Sequence, residues 1–228
     1  MMRKEKLVAG NRYHVYNRGV RSEPIFLENS DRTRFLFLLL YCQLPFPLSN
    51  NEYHSNLFEK HGSFYLHANR EQINAALPHR HVELESFCLM PNHFHVSMLA
   101  REDTGVSKYM QRVLNAYTKY FNIKHKKTGH LFEGPFKAVR VESSEELLYL
   151  SAYIHRNPRE LREWRNKEAE YPFSSLLDYT SENRWGDLLM SKTILKHFKD
   201  EEEYKSFVEK SSSKTIESKL SEEHLFED

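Results

Sequence analysis

The chain has 228 residues with 39% hydrophobic, 13% aromatic and 29% charged side chains, which suits one packed, water-soluble domain with additions. No run approaches the roughly 20 apolar residues of a membrane helix, and Met-Met-Arg-Lys-Glu-Lys leads into no signal-peptide core, so a cytoplasmic protein is expected. The net charge of +1 hides a division: Ser107 to Arg140 holds eight basic residues against one acid, and Glu201 to Asp228 nine acids against four lysines. A basic centre is the footprint of a polyanion partner, and an acidic tail is not expected to share it. Cys42 and Cys88 sit in apolar surroundings without metal spacing and read as buried, reduced thiols.

In chain order, Tyr13-His14-Val15-Tyr16-Asn17 reads as a first strand closed by Arg18-Gly19. Asp31 to Cys42 reads as a helix buried on most sides, ended by Pro45 and Pro47. Residues 43–80 are polar and weakly patterned apart from a short helix at Arg70 to Ala76, and read as an insertion. Val82 to Met90 is the next strand, with Val82, Leu84, Cys88 and Met90 assigned to one face. Pro91-Asn92 turns the chain into a returning strand, His93 to Ala100, whose Phe94, Val96, Met98 and Ala100 face the core. Val106, Tyr109, Met110, Val113, Leu114, Tyr117 and Phe121 recur with helical spacing. After a Gly-bracketed loop, Phe136 to Val141 reads as a strand. Ser143-Ser144-Glu145-Glu146 then opens a helix that Pro158 stops.

This order of elements predicts an α+β fold, a ferredoxin-like antiparallel sheet with packed helices, followed by a C-terminal helical extension. The domain is expected over residues 1–178. Residues 179–228 form the extension, with one helix around Lys192 to Lys210 and disorder over the last dozen residues. No internal repeats are present.

Chemistry concentrates in Met90-Pro91-Asn92-His93-Phe94-His95-Val96. Residues i and i+2 of a strand share a side, so His93 and His95 present two imidazoles together, a partial metal site that lacks a third ligand. The last core helix carries Tyr153 and Asn157 four residues apart, hence on one face. Asn157 offers a neutral amide oxygen to a cation, and Tyr153 a phenol that could reach a phosphate on it. A phenol attacks only near a cation or toward a strongly polarised electrophile.

Plainer readings stand beside these. The histidines could be surface residues of an edge strand, and Asn157 a helix C-terminal residue. Tyr149 competes with Tyr153 for the nucleophile, and Tyr117 and Tyr120 are weaker rivals because their helix places Tyr117 in the core stripe.

His93-Phe94-His95 resembles the HUH motif of single-tyrosine transposases, the small insertion-sequence enzymes and their relatives associated with repetitive extragenic palindromes (REP). Tyr153-Ile154-His155-Arg156-Asn157-Pro158 resembles that family's final helix. Tyr13 to Gly19, Met90 to His93, Gly129 to Gly134 and Tyr171 to Ser175 match in order, so the resemblance spans about residues 11–178. It departs at Pro135, where the family commonly carries an arginine, and the acidic tail has no counterpart.

The resemblance implies Mg²⁺ or Mn²⁺ held by His93, His95 and Asn157, with Tyr153 cutting single-stranded DNA through a 5′-phosphotyrosine link. It implies hairpin or palindromic DNA as partner, contacted by Arg18, Lys108, Arg112, Lys119, Lys137 and Arg140, and a monomer or homodimer. Two other classes remain at this point: a relaxase- or replication-initiator-like nickase with the same chemistry, and a non-catalytic single-strand binder.

Overall fold

A computed structural model describes residues 6–46, 58, 60 and 66–225. Of the segment read as an insertion, residues 47–57, 59 and 61–65 lie outside these residues. Four strands, β1 (Arg12–Arg18), β2 (Val82–Leu89), β3 (His93–Ala100) and β4 (Lys137–Val141), form an antiparallel sheet in the order β2-β3-β1-β4. Helix α1 (Asn29–Tyr41) follows β1, α2 (Leu66–Ala76) precedes β2, and α3 (Gly105–Lys124) joins β3 to β4. Order and connections are those of the split βαβ arrangement expected from the sequence.

One sheet face is closed by α1 and α3. Helix α3 lays its Val106, Tyr109, Met110, Val113, Tyr117 and Phe121 inward, and all are buried. The ends of the two helices are tied by Asp31, a buried carboxylate 3.0 Å from Lys124 and 3.1 Å from His125. Lys124 is therefore spent inside the fold, and its pKa is raised by its hydrogen bond to Asp31 although desolvation opposes this.

The other sheet face is covered by α4 (Ser144–Arg156) and the chain beyond it. Ser143 caps α4 by accepting from the Glu146 amide at 3.0 Å. Beyond it come α5 (Leu176–Thr180), α6 (Lys192–Leu195), α7 (Glu201–Lys210) and α8 (Ser213–Lys219). The single helix expected over Lys192 to Lys210 is two: the first ends at Leu195, and Asp200 caps the second, accepting from the Glu203 amide at 2.8 Å. Among the described residues no helix is long and apolar enough to cross a membrane.

Two expectations are corrected. Val82, Leu84, Cys88 and Met90 do not share a face along β2. The register slips at Glu85, with Leu84 opposite Met98 but Ser86 opposite Ser97. This bulge inserts one residue, so Phe87 and Leu89 take the α1 side while Ser86 and Cys88 turn toward the histidine side. The second correction concerns the tail. Residues up to Leu225 are docked rather than disordered: α8 and a 3-10 turn at Glu222–His224 return to the sheet, and His224 is fully buried. Buried side chains before and after residue 178 belong to one continuous core.

Candidate metal and nucleophile site

The register of the sheet builds the site. Opposite His95 on β3 stands Tyr16 of β1, then Lys137 of β4 in the next strand. Arg18 stands opposite His93, and His14 opposite Ser97. His14 is thus a diagonal neighbour of His95, within reach of a ring on the same face. Both motif histidines are buried, His95 completely. Their ring centroids are 5.1 Å apart with planes at 81°.

Helix α4 crosses this face and delivers the remaining groups. The Tyr153 ring stands edge-on to His95, centroids 5.3 Å apart. Asn157, just past the helix end, lies with Oδ1 3.3 Å from His93 Nε2. The tyrosine and amide found by their spacing therefore meet the histidine pair within one chain.

The orientation of these donors suits a cation. Asn92 Nδ2 donates to the Ser22 carbonyl at 3.2 Å, which turns its Oδ1 to His93 Nδ1 at 2.7 Å. His93 donates there, and a neutral ring donating at Nδ1 carries its lone pair at Nε2. Asn157 Nδ2 donates to the Tyr153 carbonyl at 2.9 Å, which turns its Oδ1 toward that lone pair. Nε2 of a neutral His93 and the Asn157 oxygen thus face one another at 3.3 Å, as two ligands of one cation would. The donor set, two imidazole nitrogens and an amide oxygen, fits a divalent ion of the Mn²⁺ or Mg²⁺ kind. Among the described residues no group of three His, Cys, Asp or Glu side chains forms a metal cage, so the amide is needed to complete three ligands.

The rival tyrosines lie elsewhere. Tyr149 packs on Phe207 and carries Lys219 over its ring at 5.8 Å. The buried Tyr117 hydroxyl donates to the Ile25 carbonyl, and Tyr120 reaches Asp31, both on the opposite side of the sheet. His155 points away from the site. Its rings nitrogens meet the Tyr204 hydroxyl at 2.6 Å and the Ser175 hydroxyl at 2.7 Å, and burial lowers its pKa to about 3.

The six basic residues proposed as DNA contacts are scattered. Lys137 is exposed on the site face, its Nζ 5.6 Å from the Tyr16 ring centroid. Arg18 borders the same face but is engaged by Glu133. Lys119 lines a groove of about 1080 Å³ between α3 and the loop around Phe132. Arg140 pairs with Tyr13 in the register, which sends it to the other face, and it sits 3.5 Å from Glu142. Lys108 and Arg112 lie in the first turns of α3, at the end of the sheet remote from His93. Lys108 is 3.2 Å from Glu102, and Arg112 donates to the carbonyls of Leu44, at 2.7 Å, and of Phe46. Arg112 serves the fold, which its helical spacing alone did not reveal.

Other groups at the site had been given no role from the sequence. Arg156, Arg159 and Arg165 join Tyr153 and Asn157 around a cleft of about 370 Å³, whose other wall is Ser213, Ile216, Glu217 and Leu225 of the tail. His14, Tyr16 and His224 also gather here, and Tyr16 donates to the Glu223 carbonyl at 2.8 Å. Period-two spacing put His14 and Tyr16 on one face of β1, but nothing in the sequence stated that this face meets His95.

The sheet thus carries a histidine pair and is crossed by a helix that bears a tyrosine and an amide. The family described as IS200-like transposase matches residues 51–157, a little under half of the chain. No curated protein matches the chain. A solved structure of a REP-associated tyrosine transposase bound to a REP hairpin is similar, with a TM-score of 0.50 and 14% sequence identity. The similarity covers 81% of this chain and 87% of that one, and at this identity it speaks for a common fold.

Proposed function

We propose that this protein cuts and rejoins single-stranded DNA bearing hairpin or palindromic elements, acting in the cytoplasm with Tyr153 as nucleophile. The observation that carries the reading is the meeting of Tyr153 and Asn157 with His93 and His95 on one sheet face. His93 Nε2, His95 Nε2 and Asn157 Oδ1 would hold a divalent ion. When bound, that ion would supply the Lewis acidity that polarises a scissile phosphate.

In the proposed reaction the Tyr153 phenolic oxygen attacks the phosphorus and the bond to the 3′ oxygen breaks. The products are a 5′-phosphotyrosine link and a free 3′-hydroxyl, which takes up a proton equivalent to the one the phenol gives up. The link conserves a phosphodiester, so another 3′-hydroxyl can reverse the step and join new ends. Arg165 beside the cleft and Lys137 on the site face are proposed to contact backbone phosphates, whereas Arg156 is held by the Val208 and Glu209 carbonyls and Arg159 by Glu168. Lys108, Arg112 and Arg140 drop out of that set, being remote, internally bonded or on the other face.

A hairpin-bearing single-stranded oligonucleotide incubated with the protein and Mn²⁺ tests this directly. A covalent protein–DNA band is expected, absent for Tyr153→Phe and retained for Tyr149→Phe. An adduct that survives Tyr153→Phe and disappears with Tyr149→Phe overturns the nucleophile. Binding without any adduct leaves the single-strand binder as the better reading.

A further inference from the structure

Helix α4 carries the proposed nucleophile on one side and a hydrogen-bonded ring on the other. Two residues along a helix turn through about 200°, so His155 leaves α4 opposite Tyr153. It enters the core, completely buried, and the proposed chemistry does not use it. Its Nε2 lies 2.7 Å from the Ser175 hydroxyl, and its Nδ1 2.6 Å from the Tyr204 hydroxyl of α7. Ser175 and Tyr204 are completely buried as well. A hydroxyl can donate or accept, so both ring nitrogens are met in either tautomer.

Each hydroxyl is itself fixed. Ser175 belongs to a segment paired with the outer edge of β2, where Ser174 bridges to Cys88. Its amide donates to the Phe87 carbonyl at 3.0 Å, and the Phe87 amide donates to its Oγ at 2.8 Å. Cys88 in turn stands opposite His95 in the sheet. The Tyr204 hydroxyl donates to Ser151 Oγ, one turn back on α4, at 3.0 Å. The Tyr204 ring packs on Tyr179 and Phe198, each with centroids 5.0 Å apart. Arg156, next to His155, donates to the Val208 and Glu209 carbonyls near the end of α7, both at 3.2 Å. A closed circuit of short links therefore runs from His95 across β2 to Ser175, through the His155 ring, and along α4 to Tyr153.

The buried apolar side chains of α4, such as Leu150 and Ile154, hold the helix on the sheet by a force without direction. Hydrogen bonds are directional, and two of them on separate nitrogens of one flat ring fix the rotation of the helix that carries it. We propose that Ser175, His155 and Tyr204 form a clamp that sets the rotation of α4, and with it the seating of Tyr153 and Asn157 against the histidine pair. The clamp rests on reading Tyr153 as the nucleophile. Its members are positioning residues, since they act on the site only through α4. It also gives the C-terminal extension a part in the reaction, because α7 supplies one jaw. Misplacing a reacting group by about 1 Å can cost about 100-fold in rate, which sets the scale of the effect.

The test uses the full chain and two readouts. In metal-free protein with isotope-labelled tyrosine and histidine rings, the nuclear Overhauser contact between Tyr153 and His95 reports their seating. With Mn²⁺ and a saturating hairpin-bearing single-stranded oligonucleotide, single-turnover adduct formation gives a rate and an amplitude, and varying the DNA gives its half-saturating concentration. Tyr204→Phe removes one oxygen. It is expected to weaken the ring contact and slow the rate about 10-fold, with amplitude and half-saturating DNA unchanged. His155→Phe loses both bonds and is expected to slow the rate by about 10- to 100-fold. His155→Gln, whose amide can still reach Ser175, is expected to recover part of that loss. Tyr204→Phe decides alone should His155→Phe fail to fold. An unchanged ring contact overturns the clamp, and so does a wild-type rate with reduced amplitude, which marks residues that serve folding only. A Tyr153→Phe protein that still forms adduct, or a wild type that forms none, defeats the nucleophile reading instead, and the ring contact then still decides the clamp.

Discussion

Glu85 is where a single side chain sets a measurable cost. It is the inserted residue of the β2 bulge, and its carboxylate is solvent-excluded, bonded to Arg12 at 2.8 Å. Desolvation is the largest influence and raises its pKa, with Arg12 opposing it. A carboxyl whose folded-state pKa exceeds its unfolded value binds more protons folded than unfolded. Its contribution to stability is therefore complete below about pH 4.5 and is lost as pH rises through the raised value. Glu85→Gln is neutral at every pH and should remove this part of the decline. Chemical denaturation of both proteins from pH 4 to pH 8 checks it: the two stability curves are expected to converge at the low end and separate upward. Parallel curves would mean that Arg12 keeps Glu85 ionised at no cost.

At the scale of elements, the site depends on how tightly β1 turns away from the sheet after Arg18. Gly19 accomplishes this through close approach. A Cβ at Gly19 would meet the Glu23 carbonyl oxygen at 2.1 Å, a backbone atom with no room to yield. The Gly19 amide donates to the Asn92 carbonyl at 2.8 Å, so the same turn steadies the hairpin end that carries His93. Gly19→Ala is expected to cost about 1–3 kcal/mol, the range for forcing extra atoms into a packed position. Thermal unfolding measures that cost, and Mn²⁺ affinity is expected to fall with it because Asn92 orients His93. Element positions were largely legible from the sequence. The 3.6-residue period of α3 and the alternation of β3 hold because each packs one face on a core with no interruption. β2 escaped because a one-residue bulge reverses alternation without leaving a compositional mark, and its buried Glu85 found a half-buried partner 73 residues away.

For the whole molecule, the question is whether one chain suffices. Tyr153 lies against His95 of its own chain, and the tail of that chain closes the cleft beside them. An exchange of tyrosine helices between subunits is not needed to complete the site. Mixing Tyr153→Phe with His95→Ala therefore should give no covalent DNA adduct, since neither chain holds both groups. Recovery of adduct in the mixture, read on a denaturing gel, would instead require helices shared between two copies.

Sequence by itself determined the chemistry on offer. Strand and helix periods put His93 with His95 and Tyr153 with Asn157, because residues two apart on a strand and four apart on a helix share a side whatever the surroundings. Tertiary structure alone decided which of these faces meet. Sheet register brought His14 and Tyr16 to the histidine pair, and the docked tail brought His224 from 210 residues beyond His14. It also withdrew Arg112 and Lys124 from the basic face by giving them internal acceptors. Long-range pairing is set by the fit of many buried surfaces at once, so no local pattern in the chain encodes it.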